Sequence, residues 1–442
     1  MQQRPILHGK QFPSDHPHRQ ALNDEVHARP PEELVAPTRL SFLALAVDAE
    51  QRKQNFDLMC ELAQSAGVPP PEAGANHYSA DLGGFRLKSE QHTEFMRFMF
   101  TVPGEESGPF AEPAIREVPQ EWLSRLAGDV LVATHVIFLP GGDAPRDYER
   151  ISEEMFDGNP LVGSAVGGGV GRAYTDFRIR PDGFSRLFLE DHGLTRRQAG
   201  RTVQRILEID TYRMLALLTF PLAKQLAPEL GEAEQRLAEI TTALVSATRT
   251  NEPELLDRLT KLQAEITSRR ADNDYRFTAA SAYYTLVQSR IRELREQRIP
   301  GLQTFEEFVG RRLAPAINTC QTVAERQASL SDKVAQATQL LSTRVDIERQ
   351  TQNQSLLESM DKRAKMQLML QQTVEGLSVA AISYYLVSLV GYAAEGIVKG
   401  TGVPANPDVI MAISIPIVVF GVWQVVRRAR KAIGKSHRIE HM

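Results

Sequence analysis

Five polar residues recur in one apolar run near the C-terminus: Ser378, Tyr385, Ser388, Tyr392 and Glu395. Their spacings of seven, three, four and three residues place them within about 100° of one helix face. Such groups are costly against lipid, so this face is expected to meet protein or water. Three uses are open: packing within a helix hairpin, contact between subunits, or lining an ion path. A ring of Glu395 carboxylates at the outer end could attract cations, as charged rings do in channels. Glu375, at the inner boundary, reads as interfacial.

Two further clusters lie near the N-terminus. The first is Asn23-Asp24-Glu25-Val26-His27-Ala28-Arg29-Pro30-Pro31. If it is extended, Glu25 and His27 point to one side. With Asp15, His16 and His18 close by, it could bind a divalent cation weakly. Its spacing fits no specific metal signature, and the plainer reading is an arm hydrogen-bonded to the domain's edge. The second is Glu90-Gln91-His92-Thr93-Glu94. Strand alternation would put Glu90, His92 and Glu94 on one face, where they could hold a cation or exchange protons. The plainer reading is a solvated face. An enzyme would need both clusters in one cleft.

Other chemistry is missing from the sequence. The glycine-rich stretch 163–171 is followed by no Gly-Lys-Ser/Thr and opens no helix, so phosphate-loop and dinucleotide fingerprints both fail. A flexible or bulged strand fits it better. There is no GxSxG and no HExxH. Cys60 and Cys320 form neither a disulfide framework nor a CxxC pair. The reading is of a non-enzyme with no cofactor. A net charge of -4 over 442 residues gives nucleic acid no electrostatic footprint.

The elements that would position these groups fall into an α+β chain. An N-terminal α/β domain with a mixed sheet is expected over 1–190, with strands at 39–47, 85–90, 92–102 and 130–139. More strands are expected within 161–180 and at 184–189, and helices at 50–66 and 147–155. From Thr195 the texture turns helical, opening on the capping-box pattern Thr195-Arg196-Arg197-Gln198. Leu255, Leu259, Leu262 and Ile266, then Tyr283, Leu286, Ile291 and Leu294, recur at threes and fours. Breaks are expected near Pro221, Pro228, Pro253 and Pro300-Gly301. No proline interrupts 316–398, a length of about 120 Å if helical. The segment 191–373 is therefore read as a long helical, coiled-coil-like stalk that needs partners.

Two runs, about 376–398 and 409–426, are apolar enough to cross a bilayer, and the Gly/Pro-rich link between them makes a hairpin over 374–426. Lys362, Arg363 and Lys365 precede the first run, and a basic tail, 427–442, follows the second. The link carries only Lys399, so both termini are expected on the cytoplasmic side. The N-terminal stretch has no signal-peptide core. A bacterial inner-membrane location with the soluble part cytoplasmic follows.

The strings LNDEVHARPP, SEQHTEFMRF, TDFRIRPDGFSR, GRTVQRILEIDTYRMLALL and VEGLSVAAISYYLV resemble an uncharacterised bacterial family described as predicted membrane-anchored proteins carrying a domain of unknown function. That resemblance covers nearly the whole chain and implies a membrane location without an activity. The layout alone is similar to the CorA-type magnesium channels, pentamers whose first span lines the pore. That family carries Gly-Met-Asn at the outer end of the span, where this chain reads Tyr392-Ala393-Ala394-Glu395-Gly396. The selectivity element is absent.

The sequence reading is thus a membrane-anchored homo-oligomer in contact with the lipid bilayer, with divalent cations as candidate ligands and no nucleic acid. One function is cation conduction or sensing along Ser378, Tyr385, Ser388, Tyr392 and Glu395, with Glu25, His27, Arg29, Glu90, His92 and Glu94 as candidate ion or ligand sites. The other is a non-conducting scaffold or regulator whose cytoplasmic domain binds a partner protein.

Overall fold

The computed structural model describes residues 15–27, 30–104, 108, 110–142, 147–246, 251–401 and 406–436. In chain order the elements are α1 (Arg19–His27), β1 (Thr38–Ala46), α2 (Ala49–Ser65), β2 (His77–Asp81), β3 (Arg86–Gln91), β4 (Phe95–Pro103), α3 (Gln120–Ser124), β5 (Asp129–Pro140), α4 (Tyr148–Phe156), β6 (Val162–Val166), β7 (Gly171–Thr175), β8 (Ser185–Asp191), α5 (Arg196–Leu217), α6 (Thr219–Val245), α7 (Glu252–Leu294), β9 (Gln297–Arg298), α8 (Phe305–Thr401) and α9 (Pro407–Ser436).

The described strands form one sheet in the order β2-β3-β4-β1-β5-β8-β7-β6-β9. Only the β5–β8 pair is parallel, so the sheet is mixed, as expected. Both faces are covered. Leu40, Phe42 and Ala44 of β1 point into a core built with α5, the end of α7 and the start of α8. Leu43 and Leu45 point the other way, into a core closed by α2 and Trp122 of α3. Further along that second face, Ile137, Tyr174 and Phe188 receive Ile151, Met155 and Phe156 of α4. Double coverage explains why β1 and β4 read as near-continuous apolar runs rather than alternating ones.

Local chemistry sets the boundaries. Asp48 and Gln51 form a reciprocal capping box at α2, and Thr195 and Gln198 form the expected one at α5. The glycine run is the tip of the β6–β7 hairpin: Gly167, Gly168 and Gly169 have φ of 65°, 84° and 99°, which side chains with a Cβ rarely adopt. It is a turn between two strands rather than the flexible or bulged strand expected for 163–171.

Contacts divide the chain into two compact units, 1–338 and 339–442. The boundary read at 190 does not separate two cores. Ala199, Val203, Ile206 and Ile209 of α5 share one apolar cluster with β1, β5 and β8, and so do Val287, Ile291 and Leu294 of α7. The helices after Thr195 therefore complete the sheet domain before they extend beyond it. Pro228 lies inside α6 and Pro315 inside α8, so neither ends a helix. Pro253 sits at the first turn of α7, where its missing N–H costs nothing.

In the second unit, α8 and α9 each contain a stretch long and apolar enough to cross a membrane, with mean hydropathies of 1.6 and 2.4.

Candidate functional site

The densest group of buried charges lies between the sheet and α5. Ladder register places Lys88 and Glu90 of β3 and Arg97 of β4 on the same sheet face. Arg97 Nε donates to Glu90 Oε2 at 2.9 Å, and Arg97 Nη1 donates to Glu208 Oε1 at 3.0 Å. A second Arg97 nitrogen also pairs with Glu90. Lys88 Nζ lies 3.1 Å from Glu90 Oε1. On the far side, Arg290 of α7 pairs with Glu208 and, at 2.8 Å, with Glu293. Glu90, Arg97 and Glu208 are 2%, 7% and 4% exposed.

Three cations therefore meet three carboxylates, as burial of charge requires. Burial alone would raise the carboxyl pKa of Glu90, but Arg97 and Lys88 outweigh it and hold it below the usual range. Glu208 behaves alike: burial opposes its charge, and Arg97 and Arg290 prevail. Burial also works against the Arg97 guanidinium, yet Glu90 and Glu208 leave its pKa raised.

The segment after α1 closes this network from outside. Lys88 Nζ donates to the Pro30 carbonyl at 2.6 Å. Arg86 pairs with Glu32, and Arg197 Nε donates to Glu33 at 2.9 Å. Leu34 N donates to the Arg196 carbonyl at 3.1 Å. The cavity left among Glu32, Lys88, Glu90, Arg97 and Gln204 is about 20 Å³, room for about one water. The chain over 30–34 is thus an arm held against the domain.

Two expectations about the clusters change. Residues 23–27 belong to helix α1, not an extended segment. Positions two apart on a helix diverge by about 200°, so the extended-segment premise for residues 25 and 27 does not hold. Their side chains, and all of Arg29, lie outside the described residues. Glu90, His92 and Glu94 do not form a solvated strand face, because β3 ends at Gln91 and β4 begins at Phe95. Glu90 is buried. His92 sits in the turn, stacked on Phe95 at 4.3 Å, with Nε2 3.9 Å from Glu90 Oε2. Glu94 turns to α7, accepting from Arg276 at 2.6 Å and from the Tyr283 hydroxyl at 2.7 Å. Burial, then Glu94, pushes the Tyr283 phenol upward. Among the described residues no group of three His, Cys, Asp or Glu side chains could hold a metal ion.

Lys88, Arg97, Glu208 and Arg290 were not singled out from sequence. Charges inside otherwise apolar runs, MRFMF in β4 and ILEID in α5, were the available signal.

A serine, a histidine and an aspartate also line up on the opposite face. Ser41 Oγ is 2.9 Å from His135 Nδ1, and His135 Nε2 is 3.9 Å from Asp182 Oδ2. Ile115 N also donates to Ser41 Oγ at 3.0 Å. Burial pulls the His135 pKa down to about 4, and the ring stacks on Phe184 at 3.9 Å. Ser41 is fully buried, beyond the reach of any substrate, and Asp182 stands past hydrogen-bond distance. Ser41 and His135 are a buried hydrogen-bonded pair on this face.

One open surface borders the sheet. β8 begins at Ser185, opposite Thr134, so among the described strands none pairs with Asp129–Val132 of β5 on that side. A groove of about 600 Å³ follows this edge, between exposed Val130 and Ile179, with Asp210 and Arg213 on its wall.

In the C-terminal unit the polar stripe does not face the second span. Ser383, Val387 and Ala394 of α8 are buried, and a Cβ at Gly391 would meet Met411 of α9 at 2.9 Å. These small and β-branched residues form the hairpin contact. The stripe lies elsewhere: Tyr385 and Tyr392 are 70% and 74% exposed. Ser378 Oγ donates to the Val374 carbonyl at 2.9 Å, and Ser388 Oγ to that of Tyr384 at 2.9 Å. Lys399 Nζ reaches Glu395 Oε1 at 2.7 Å. Packing within the hairpin is therefore not the use of the stripe.

Comparison with known families matches residues 14–433 to DUF3422, described as a protein of unknown function. The chain belongs to this family. The match spans the sheet domain, the long helix and both apolar helices, so the family's unit is the whole architecture. It agrees with the resemblance to an uncharacterised family. No curated protein and no solved structure matches the chain, and the CorA likeness gains no support there.

Proposed function

We propose that this family member is a non-catalytic scaffold anchored in a bacterial inner membrane, with its α/β domain at the cytoplasmic face and both termini inside. The basic residues Lys362, Arg363 and Lys365 before the first span, and Arg427 and Arg428 after the second, support that orientation. The observation that carries the non-conducting reading is that Glu395, the stripe's one carboxylate, is paired with Lys399 one turn on. The Lys399 ammonium offsets the carboxylate charge that a cation-attracting ring would need. Both serine hydroxyls donate to carbonyls of their own helix.

Conduction or sensing of cations is the second reading, favoured by the exposure of the stripe on the face away from α9. Flux in proteoliposomes separates the two. The scaffold predicts no magnesium or potassium flux above that of empty vesicles. Flux that Glu395→Gln lowers would replace it with conduction. Deleting 376–426 should release the chain from the membrane fraction, and retention there would defeat the anchor.

The groove along Asp129–Val132 suits an extended apolar segment of a partner, which could add as a strand to the open edge. A partner held by the wild type and lost with Val130→Glu or Ile179→Glu would support this. Binding indifferent to both substitutions would remove it.

A further inference from the structure

The stripe of α8 does not begin in the membrane. Leu357, Ala364, Gln371, Ser378, Tyr385 and Tyr392 are spaced seven residues apart, as are Met360, Gln367, Val374, Ala381, Ser388 and Glu395. The second series follows the first by three. These are the a and d positions of one uninterrupted heptad register, which keeps a single seam facing a partner helix.

The seam has the wrong polarity for its surroundings on both sides of the membrane boundary. Before the span it carries Leu357, Met360 and Val374, which are 65%, 66% and 65% exposed. Ala364, Gln367 and Gln371 complete it there, and outside it stand Asp361, Lys362 and Lys365 together with exposed Met366, Leu368, Met369 and Leu370. Within the span it carries Ser378, Tyr385, Ser388 and Tyr392, while exposed Ile382, Leu386 and Leu389 flank it. Exposed Leu357, Met360 and Val374 in water and a polar strip in lipid each call for burial against protein. Both lie on the same line of the same helix. The second span cannot supply the cover, because the residues it packs on, Ser383, Val387, Gly391 and Ala394, are outside the a and d positions.

We infer that the seam from Leu357 to Glu395 packs against the same seam of further copies of this chain, forming a parallel homo-oligomer with α8 at its axis. The inference rests on the anchored reading above. Copies fixed by the same hairpin enter the bilayer at one depth, so each switch from apolar to polar meets its equivalent. Any other partner would need that switch at the same height. Gln367 and Gln371 place amides at facing layers, a device that fixes register. Glu395 at d and Lys399 at the next a position carry opposite charges that can also pair between copies. The seam spans about 57 Å of helix and about 10 Å of width. That gives on the order of 600 Å² per copy and about 1,200 Å² per pair, above the roughly 1,000 Å² expected of a specific interface.

The test is cysteine cross-linking of the full chain in native membranes, with the parent chain as blank because it keeps Cys60 and Cys320. Ala364→Cys and Ser378→Cys, both at a positions, should give dimeric and larger bands at least tenfold above Lys362→Cys and Leu386→Cys, which lie outside the seam. Detergent-corrected light scattering should give a multiple of the 49.3 kDa chain mass. Membrane-bound protein with equal cross-linking at all four positions and a single-chain mass would overturn the oligomer while leaving the anchor standing. Parent protein in the soluble fraction would defeat the anchored reading and the seam with it.

Discussion

Arg97 and Glu208 tie the sheet to the helix that covers it, with Arg97 Nη1 on β4 donating to Glu208 Oε1 on α5 at 3.0 Å. Arg97 also holds Glu90 of β3, and Glu208 also holds Arg290 of α7, so the pair lies at the middle of a chain of charges crossing four elements. Removing one member of such a buried set leaves an uncompensated charge, which typically costs about 3–5 kcal/mol. Arg97→Met is therefore expected to destabilise strongly through Glu90 and Glu208 together. Combining it with Glu208→Gln should recover part of the loss, because Lys88 then still pairs with Glu90 and Arg290 with Glu293. Denaturant unfolding followed by Trp122, which is buried against Phe98 and Phe100, measures both. Additive losses across the two substitutions would mean that the groups act independently.

The same network sets a dependence on acid. Glu90 and Glu208 have folded pKa values below the ordinary 4.5. As pH falls through that value, the unfolded chain takes up protons first, so stability present at neutral pH is lost as acid approaches the folded values. Unfolding midpoints should be flat with respect to these groups above about pH 5 and fall below it. Glu90→Gln should be less stable at pH 7 and show a shallower acid slope. An unchanged slope would exclude Glu90 from the linkage.

Sequence patterning revealed the strands, the hairpin of apolar helices and the capping box at Thr195, because each depends on local periodicity and short-range hydrogen bonds. It placed a domain boundary at 190, since helical texture begins there. It could not show that α5 lies on the sheet, because that depends on contacts between β1 and residues some 160 positions later. The candidate site was half legible for the same reason. Glu90 and His92 stood out as neighbours in sequence, whereas Lys88, Arg97, Glu208 and Arg290 acquire meaning only when β3, β4, α5 and α7 come together. The helix over 19–27 was missed because its flanking His and Pro residues resemble a loop.

His135 supplies a second, separable pH effect. Burial lowers its pKa from 6.5 to about 4, so between these values the unfolded chain is protonated and the folded one is not. Stability should fall as pH drops from about 6.5 to 4, by on the order of 3 kcal/mol in all, and show no further His135 effect below that. His135→Gln should abolish this slope between pH 6.5 and 5, where Glu90 and Glu208 do not contribute. A slope that survives the substitution would place the responsible proton on another group.

Gly200 tests the arm over 30–34. A Cβ at this position would stand 1.6 Å from the Glu32 carbonyl oxygen and 2.8 Å from its carbon. Alanine normally favours a helix interior over glycine by about 1 kcal/mol, so a free α5 would gain from Gly200→Ala. Here the obstacle is backbone, which cannot rotate away as a side chain can. Overpacking of this kind costs typically about 1–3 kcal/mol, and the arm must shift to relieve it. Moving the arm breaks the Pro30–Lys88, Glu32–Arg86 and Leu34–Arg196 contacts together and opens the charge network to water. Gly200→Ala should therefore lower stability and increase protease cleavage within 28–36, while Gly231→Ala on α6, where a Cβ meets nothing, should be neutral or stabilising. Unchanged cleavage with Gly200→Ala would mean that the arm does not rest on α5 in solution.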